Sequence, residues 1–206
     1  QTLNYIWFHV WPNAYKNNNT ALANQFLKLG KTDFYFSKPE ERGFIDSLDF
    51  KVNNQTIAWE YHPEHIDIVK LNLTEPLKSG EKITITTPFK VKIPIGKFSR
   101  LGHIKQQYQI TQWYPKPAVF DHKGWHPISY LDQGEFFSEF GNYDVSITVP
   151  ADHIIAATGT LSNASSIMTS KQMDRFKKAQ EEYTTPVMIV TQAEAEEAEK
   201  NKLELE

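Results

Sequence analysis

The sequence predicts a mainly β protein: an antiparallel β-sandwich or saddle domain, with a short helix near its start and a helix–strand–helix C-terminal appendage. Three observations lead there. Short runs rich in Val, Ile, Thr and aromatic residues recur over residues 3–160, and Pro, Gly and Asn turn signals punctuate them. Aromatic residues make up 13% of the chain, a residue set that favours strands. Beyond residue 161 the composition turns charged, and two capping-box signals open helices at Thr169-x-x-Gln172 and Thr191-x-x-Glu194. The expected division is therefore 1–161 for the all-β domain and 162–206 for the α-rich appendage.

Each element follows from local chemistry. Leu3 to Trp11 carries large apolar residues on both alternating faces, as in a strand covered on both sides, and Trp11-Pro12-Asn13 ends it. Thr20 caps a short helix from Ala21 to about Leu29, with Leu22, Phe26 and Leu29 on one side and Gly30 at its stop. Lys38 to Gly43 is a charged loop. Phe44 to Val52 and Thr56 to Tyr61 flank Asn53-Asn54-Gln55 in the manner of a hairpin. Ile66 to Leu73 alternates, and Pro76 to Gly80 is a turn. Lys82 to Ile93 reads as one long strand, and Gly96 to His103 as a loop.

Gln106 to Trp113 reads as a further strand, which Pro115 and Pro117 stop. Lys116 to Gly141 is a long, aromatic-rich connection, and connections of that length are often functional. Tyr143 to Val149 alternates up to Pro150, and Ile154 to Gly159 adds another strand. In the appendage, a helix from the Thr169 cap to about Tyr183 and a second, acidic helix from Thr191 enclose a short apolar strand, Pro186 to Val190.

Much chemistry is excluded. The formal net charge of -3 makes no electrostatic case for nucleic acid. Cys is 0, which excludes disulfides, a thiol nucleophile and Cys-ligated metal. No apolar run is long enough to span a bilayer. His62-Pro63-Glu64-His65 holds two histidines, but Pro63 disfavours the helix a zinc pair needs, so it reads as a polar turn. His122 and His126 flank Gly124 in another turn. Asp121, Asp132 and Glu135 read as solvated loop carboxylates. There is no H-E-x-x-H, no G-x-S-x-G elbow and no phosphate-binding glycine motif. No catalytic residue, metal ligand or cofactor is assigned to the chain.

What is left is a strand end opening into an irregular loop, where binding surfaces tend to form. It carries Gln112, Trp113 and Tyr114. The aromatics from Trp113 to Phe140 either pack the loop onto the sheet or present a ligand platform.

This stretch also carries a family resemblance. Ile110-Thr111-Gln112-Trp113, then Tyr114-Pro115-Lys116-Pro117-Ala118-Val119-Phe120-Asp121, resembles the N-terminal β-domain of aminopeptidase N-like (gluzincin) zinc metallopeptidases. Phe140 to Pro150 and Ala156-Ala157-Thr158-Gly159 are similar to that domain's closing strands. The opening WFHVWPNAY resembles a Bacteroidetes-type subgroup. The likeness touches most of Leu3 to Leu161 and is specific as a combination of motifs.

The resemblance implies a saddle-shaped domain lying against a thermolysin-like catalytic domain that supplies the zinc site. Both ends of this chain read as cuts through such a larger protein, with 162–206 the linker toward the missing domain. It implies an exported bacterial parent, periplasmic or extracellular, acting on peptide substrates, with the zinc outside this chain. It also implies that Gln112 lines the pocket for the substrate's first side chain. Two positions on, relatives place Glu or Gln for the substrate amine, where this chain has Tyr114. A phenol lacks the charge of a carboxylate, which puts strict aminopeptidase specificity in question. The alternative is a free-standing β-sandwich module binding carbohydrate or peptide on Trp113, Tyr114 and Trp125, and a third reading is a purely structural domain.

Overall fold

The computed structural model describes residues 2–150 and 153–203, and the chain divides into two units, 1–142 and 143–206. The protein is mainly β, with antiparallel sheets. In the first unit β1 (Leu3–His9) pairs antiparallel with β6 (Ile68–Leu77), and β6 pairs with β5 (Trp59–Tyr61). β11 (Lys116–Pro117) lies along the other side of β1, in the order β11-β1-β6-β5.

The alternation of β1 decides its faces. Ile6 and Phe8 enter a core with Val10, Ile45, Phe50, Ile57, Val69 and Leu71. Tyr5 and Trp7 point the other way and remain half-buried, meeting edge to face at 6.2 Å with Lys70 Nζ 4.7 Å from the Tyr5 ring. Both faces are covered, as expected, but unequally.

Beyond β1 the chain turns into a wholly buried 3-10 helix, Trp11–Tyr15, with Pro12 in its first turn. Proline suits that position because its missing N–H would have no partner there. The turn delivers Trp11, Ala14 and Tyr15 to a second core, with Leu22, Ala23, Phe26, Phe34, Phe98, Leu101 and Tyr130. Each large side chain so buried contributes roughly 1.5–3 kcal/mol. Asn13 is fully buried but satisfied: its amide donates to the Ile66 carbonyl at 3.0 Å and accepts from the Ile45 N–H at 3.1 Å. α1 (Ala21–Lys28) follows, with the Thr20 hydroxyl accepting from the Ala23 N–H and Gly30 at φ +73 beyond its end.

The smaller sheets are hairpins and short pairings. β2 (Phe44–Asp46) pairs with β8 (Lys90–Lys92). β3 (Lys51–Val52) lies between β4 (Gln55–Thr56) and β7 (Ile85–Thr86). The β3–β4 turn is Asn53-Asn54, both at positive φ, which asparagine tolerates. β9 (Gly102–Ile104) pairs with β10 (Gln107–Gln109), and β12 (Val119–Asp121) with β13 (Gly124–His126).

Several expected strands are shorter or broken. Lys82 to Ile93 splits into β7 and β8, separated by Pro88, whose missing N–H cannot serve a ladder. β6 runs on to Leu77, so the turn lies one step later, with the Glu81 N–H donating to the Lys78 carbonyl at 3.1 Å. The strand expected over Gln106 to Trp113 ends at Gln109. The long connection is partly ordered into β11, β12 and β13.

The second unit holds α2 (Ala164–Ile167), α3 (Ser170–Glu181) and α4 (Gln192–Leu203). The Thr169–Gln172 capping box forms as read, and Thr191 and Glu194 hydrogen-bond reciprocally at the start of α4. Glu194 also accepts from Arg175 at 2.5 Å and lies 2.6 Å from Lys171, tying the start of α4 to α3. The strands expected over Tyr143 to Val149, Ile154 to Gly159 and Pro186 to Val190 do not form. Alternation there supplies an amphipathic pattern, but a strand also needs a neighbour's backbone, and no β-ladder includes these runs among the described residues. Residues 151–152, between the first two runs, and residues 204–206, over which the acidic helix was expected to continue, lie outside the described residues.

Candidate functional site

The chain approaches the Gln112 region under backbone constraint. Pro115 and Pro117 restrict the residues before them, Tyr114 and Lys116, to extended conformations. Lys116 therefore enters β11 opposite His9, and the Ala118 N–H donates to the Trp7 carbonyl at 2.8 Å. Upstream, Gln112 sits at φ 52, in the left-handed region that a side chain enters at a cost of roughly 1–2 kcal/mol. It follows the end of β10 at Gln109. Strain of this kind persists where surrounding structure fixes it, and it concentrates at functional sites.

The Gln112 amide oxygen accepts a hydrogen bond from Lys116 Nζ. The ammonium also lies 4.1 Å from the centre of the Trp11 ring and 6.0 Å from that of Tyr114. Trp11 is a fixed shelf. Its Nε1 donates to the Ile128 carbonyl at 2.9 Å, and its ring stacks on His9 at 4.4 Å. His9 is fully buried, and its Nε2 accepts from the Ile128 N–H at 3.1 Å. The His9 proton therefore sits on Nδ1, drawn toward the His126 carbonyl without a well-formed hydrogen bond. Burial, and then the charge of Lys116, lower the His9 pKa to about 4. His9 is neutral at pH 7, and Lys116 is the cation of the pair. Burial lowers the Lys116 pKa to about 8.

Of the three residues read from the sequence, Gln112 and Tyr114 meet at Lys116. Trp113 turns aside onto Phe89, with ring centres 5.7 Å apart. Trp125, the third member of the expected platform, packs on Phe120 at 5.0 Å and Tyr5 at 6.2 Å. Much of the aromatic wealth of the long connection thus holds the loop to the sheet. Phe136 joins it, packing tilted against Trp11 with ring centres 4.7 Å apart. Phe140 is fully exposed.

Lys116 and Trp11 escaped the sequence reading. The legible signal for Lys116 was its place between two prolines; Trp11, more than 100 residues away, had none.

The loop carboxylates serve other ends. Asp121 lies 2.9 Å from His126 Nε2 and accepts from the Lys123 N–H at 2.7 Å. Asp132 is nearly buried; burial raises its pKa, but hydrogen bonds from Lys31 at 2.6 Å, Gln133 and Ser99 outweigh this and lower it. Asp67, buried more deeply, accepts from the Tyr130 N–H at 2.7 Å, and burial raises its pKa. A recess of about 400 Å³ lies beside α1, with Gln25, His65 and Leu131 in its lining. Its Gln25 amide is committed to the backbone of Asp132 and Gln133.

His62 and His65 stack ring on ring at 4.9 Å, and among the described residues no three His, Cys, Asp or Glu side chains gather to hold a metal ion. No helix among the described residues is long and apolar enough to cross a membrane. Comparison with protein-family models, with curated proteins and with solved structures finds no match in any of the three.

Proposed function

We propose that this chain is the non-catalytic N-terminal β-domain of an exported, aminopeptidase-like zinc metallopeptidase, and that it forms one wall of the substrate cleft. Zinc and the catalytic groups belong to a separate C-terminal domain, and this chain cleaves nothing by itself. The observation that carries the reading is Gln112. It stands where the resembling family lines its first-residue pocket, and here its backbone is left-handed and its amide is held by Lys116. An amide so fixed presents a preorganised polar group to a substrate, and preorganisation lowers the ordering cost of binding. Tyr114, beside it, replaces the acidic or amide residue that would grip a substrate amine, so the parent enzyme tolerates substrates without a free amine better than its relatives.

The test has two parts. The gene read past the codon for Glu206 is expected to encode H-E-x-x-H within the next domain; its absence rejects the proposal. In the full-length product, Gln112→Ala is expected to change the relative kcat/KM of substrates that differ in their first residue. Unchanged ratios would remove Gln112 from the cleft.

A further inference from the structure

Lys116 is the unusual cation of the first unit. Its burial is enough to lower its pKa, yet among the described residues no carboxylate pairs with it. Two other cations that meet aromatic rings show the ordinary solutions. Lys31, 5.7 Å from the centre of Phe26, has Asp132 at 2.6 Å. Arg42, 4.9 Å from the centre of Phe34, spends its guanidinium on Asn18, Ser37 and the carbonyls of Phe34 and Tyr35. Among the described residues Lys116 has one acceptor, the Gln112 oxygen, and an aromatic face. An ammonium carries three donors, and a partly desolvated charge without a counter-charge is costly. The Gln112 amide nitrogen makes no hydrogen bond among the described residues, which leaves donors from both side chains together.

We infer that Lys116 and Gln112 form a carboxylate-binding site, with the Trp11 ring as its floor, that takes the carboxylate of a peptide. A carboxylate oxygen can accept from Lys116 Nζ while its mate accepts from the Gln112 amide N–H, and the cation gains the partner that Lys31 already has. The two flanking prolines and the fixed indole hold the groups in place before the ligand arrives, which favours affinity without new ordering. That the ligand is a peptide rests on the peptidase reading; that it carries a carboxylate rests on the geometry alone.

Calorimetric titration of the 206-residue chain tests the site with three probes. N-acetylglutamate α-amide carries a side-chain carboxylate, N-acetylalanine a terminal one, and N-acetylglutamine α-amide none. At least one of the first two is expected to bind saturably and about tenfold or more tighter than the glutamine probe. Whichever binds tighter identifies the source, an acidic side chain or a chain terminus. Lys116→Met is expected to weaken that binding about tenfold, and Lys116→Arg to keep it within about threefold. Equal binding of the glutamine probe, a flat response to both carboxylates, or an unchanged affinity in Lys116→Met overturns the inference. The comparison of probes on the unaltered chain decides the matter even if a variant fails to fold. A gene without H-E-x-x-H would reject the peptidase reading and leave this titration standing, whereas a flat titration would reject the site and leave that reading standing.

Discussion

Lys31 and Lys116 both lie beside aromatic rings of the first unit, and they differ in what neutralises them. Lys31 reaches the nearly buried carboxylate of Asp132, which Ser99 also holds, while the Arg100 side chain binds the backbone carbonyl of the same residue. That is a structural tie, joining the 98–101 segment and the 130–133 loop to the segment that follows α1. Among the described residues Lys116 reaches an amide oxygen and a π face but no carboxylate, in a stretch whose backbone is strained at Gln112. The contrast teaches that cation–aromatic contact alone does not mark a site. What marks it is a cation, partly desolvated, left without its acid.

Three expectations sharpen or break that contrast, and the largest concerns the shelf. Trp11 is almost wholly buried and supports both His9 and Lys116. Trp11→Ala should cost about 3–5 kcal/mol by denaturant unfolding. A loss under about 1 kcal/mol would mean that Trp11 is not the packed floor described.

The two lysines should next part company. Asp132→Ala leaves Lys31 and Ser99 without their acceptor and should cost about 1–2 kcal/mol, the range for an ion pair with one half-exposed member. Lys116→Met removes an unpaired cation and should leave stability within about 1 kcal/mol of the parent, or raise it. If Lys116→Met destabilises as much as Asp132→Ala, Lys116 is a structural tie as well.

The smallest effect is in acid. Burial raises the pKa of Asp67, so the folded state holds that proton to higher pH than the unfolded state does. Asp67 therefore contributes stability below the ordinary carboxylate pKa, and that contribution is lost as pH rises through the raised value. The difference in unfolding free energy between parent and Asp67→Asn should change with that sign across the window. A pH-independent difference would place the Asp67 pKa at its ordinary value.

How much of this was legible follows the range of the forces involved. The Thr20 cap, the Thr169–Gln172 box and the Asn53-Asn54 turn are local hydrogen-bonding and backbone effects, and the structure has them where the residues indicate. The expected mainly β class rests on the same short-range grammar. Lys82 to Ile93 is rich in strand-forming residues, but Pro88 cannot serve a ladder and divides the run. Tyr143 to Val149 misled for a different reason: alternation records which side chains share a face but not whether another backbone arrives to pair. Gln112 and Tyr114 could be singled out from their strand-end setting and from resemblance. Their meeting point could not, because Lys116 is placed by β11 pairing with β1, and Trp11 by the buried turn after β1. Those contacts join residues more than 100 positions apart.

The account turns on the state of one amine. Lys116 should titrate near pH 8 in the free chain, followed by 13C NMR at its Cε with Lys116→Met assigning the signal. His9, the titratable group beneath it, stays neutral over that range, and Tyr114 is the other that faces it. Because the folded-state pKa lies below the ordinary lysine value, stability should rise with pH between the two, and Lys116→Met should abolish that rise. Saturation with the preferred carboxylate probe should move the Lys116 pKa up toward the ordinary value, as a counter-charge must. A Lys116 that already titrates at the ordinary lysine value, or whose pKa the carboxylate leaves unmoved, would contradict the account.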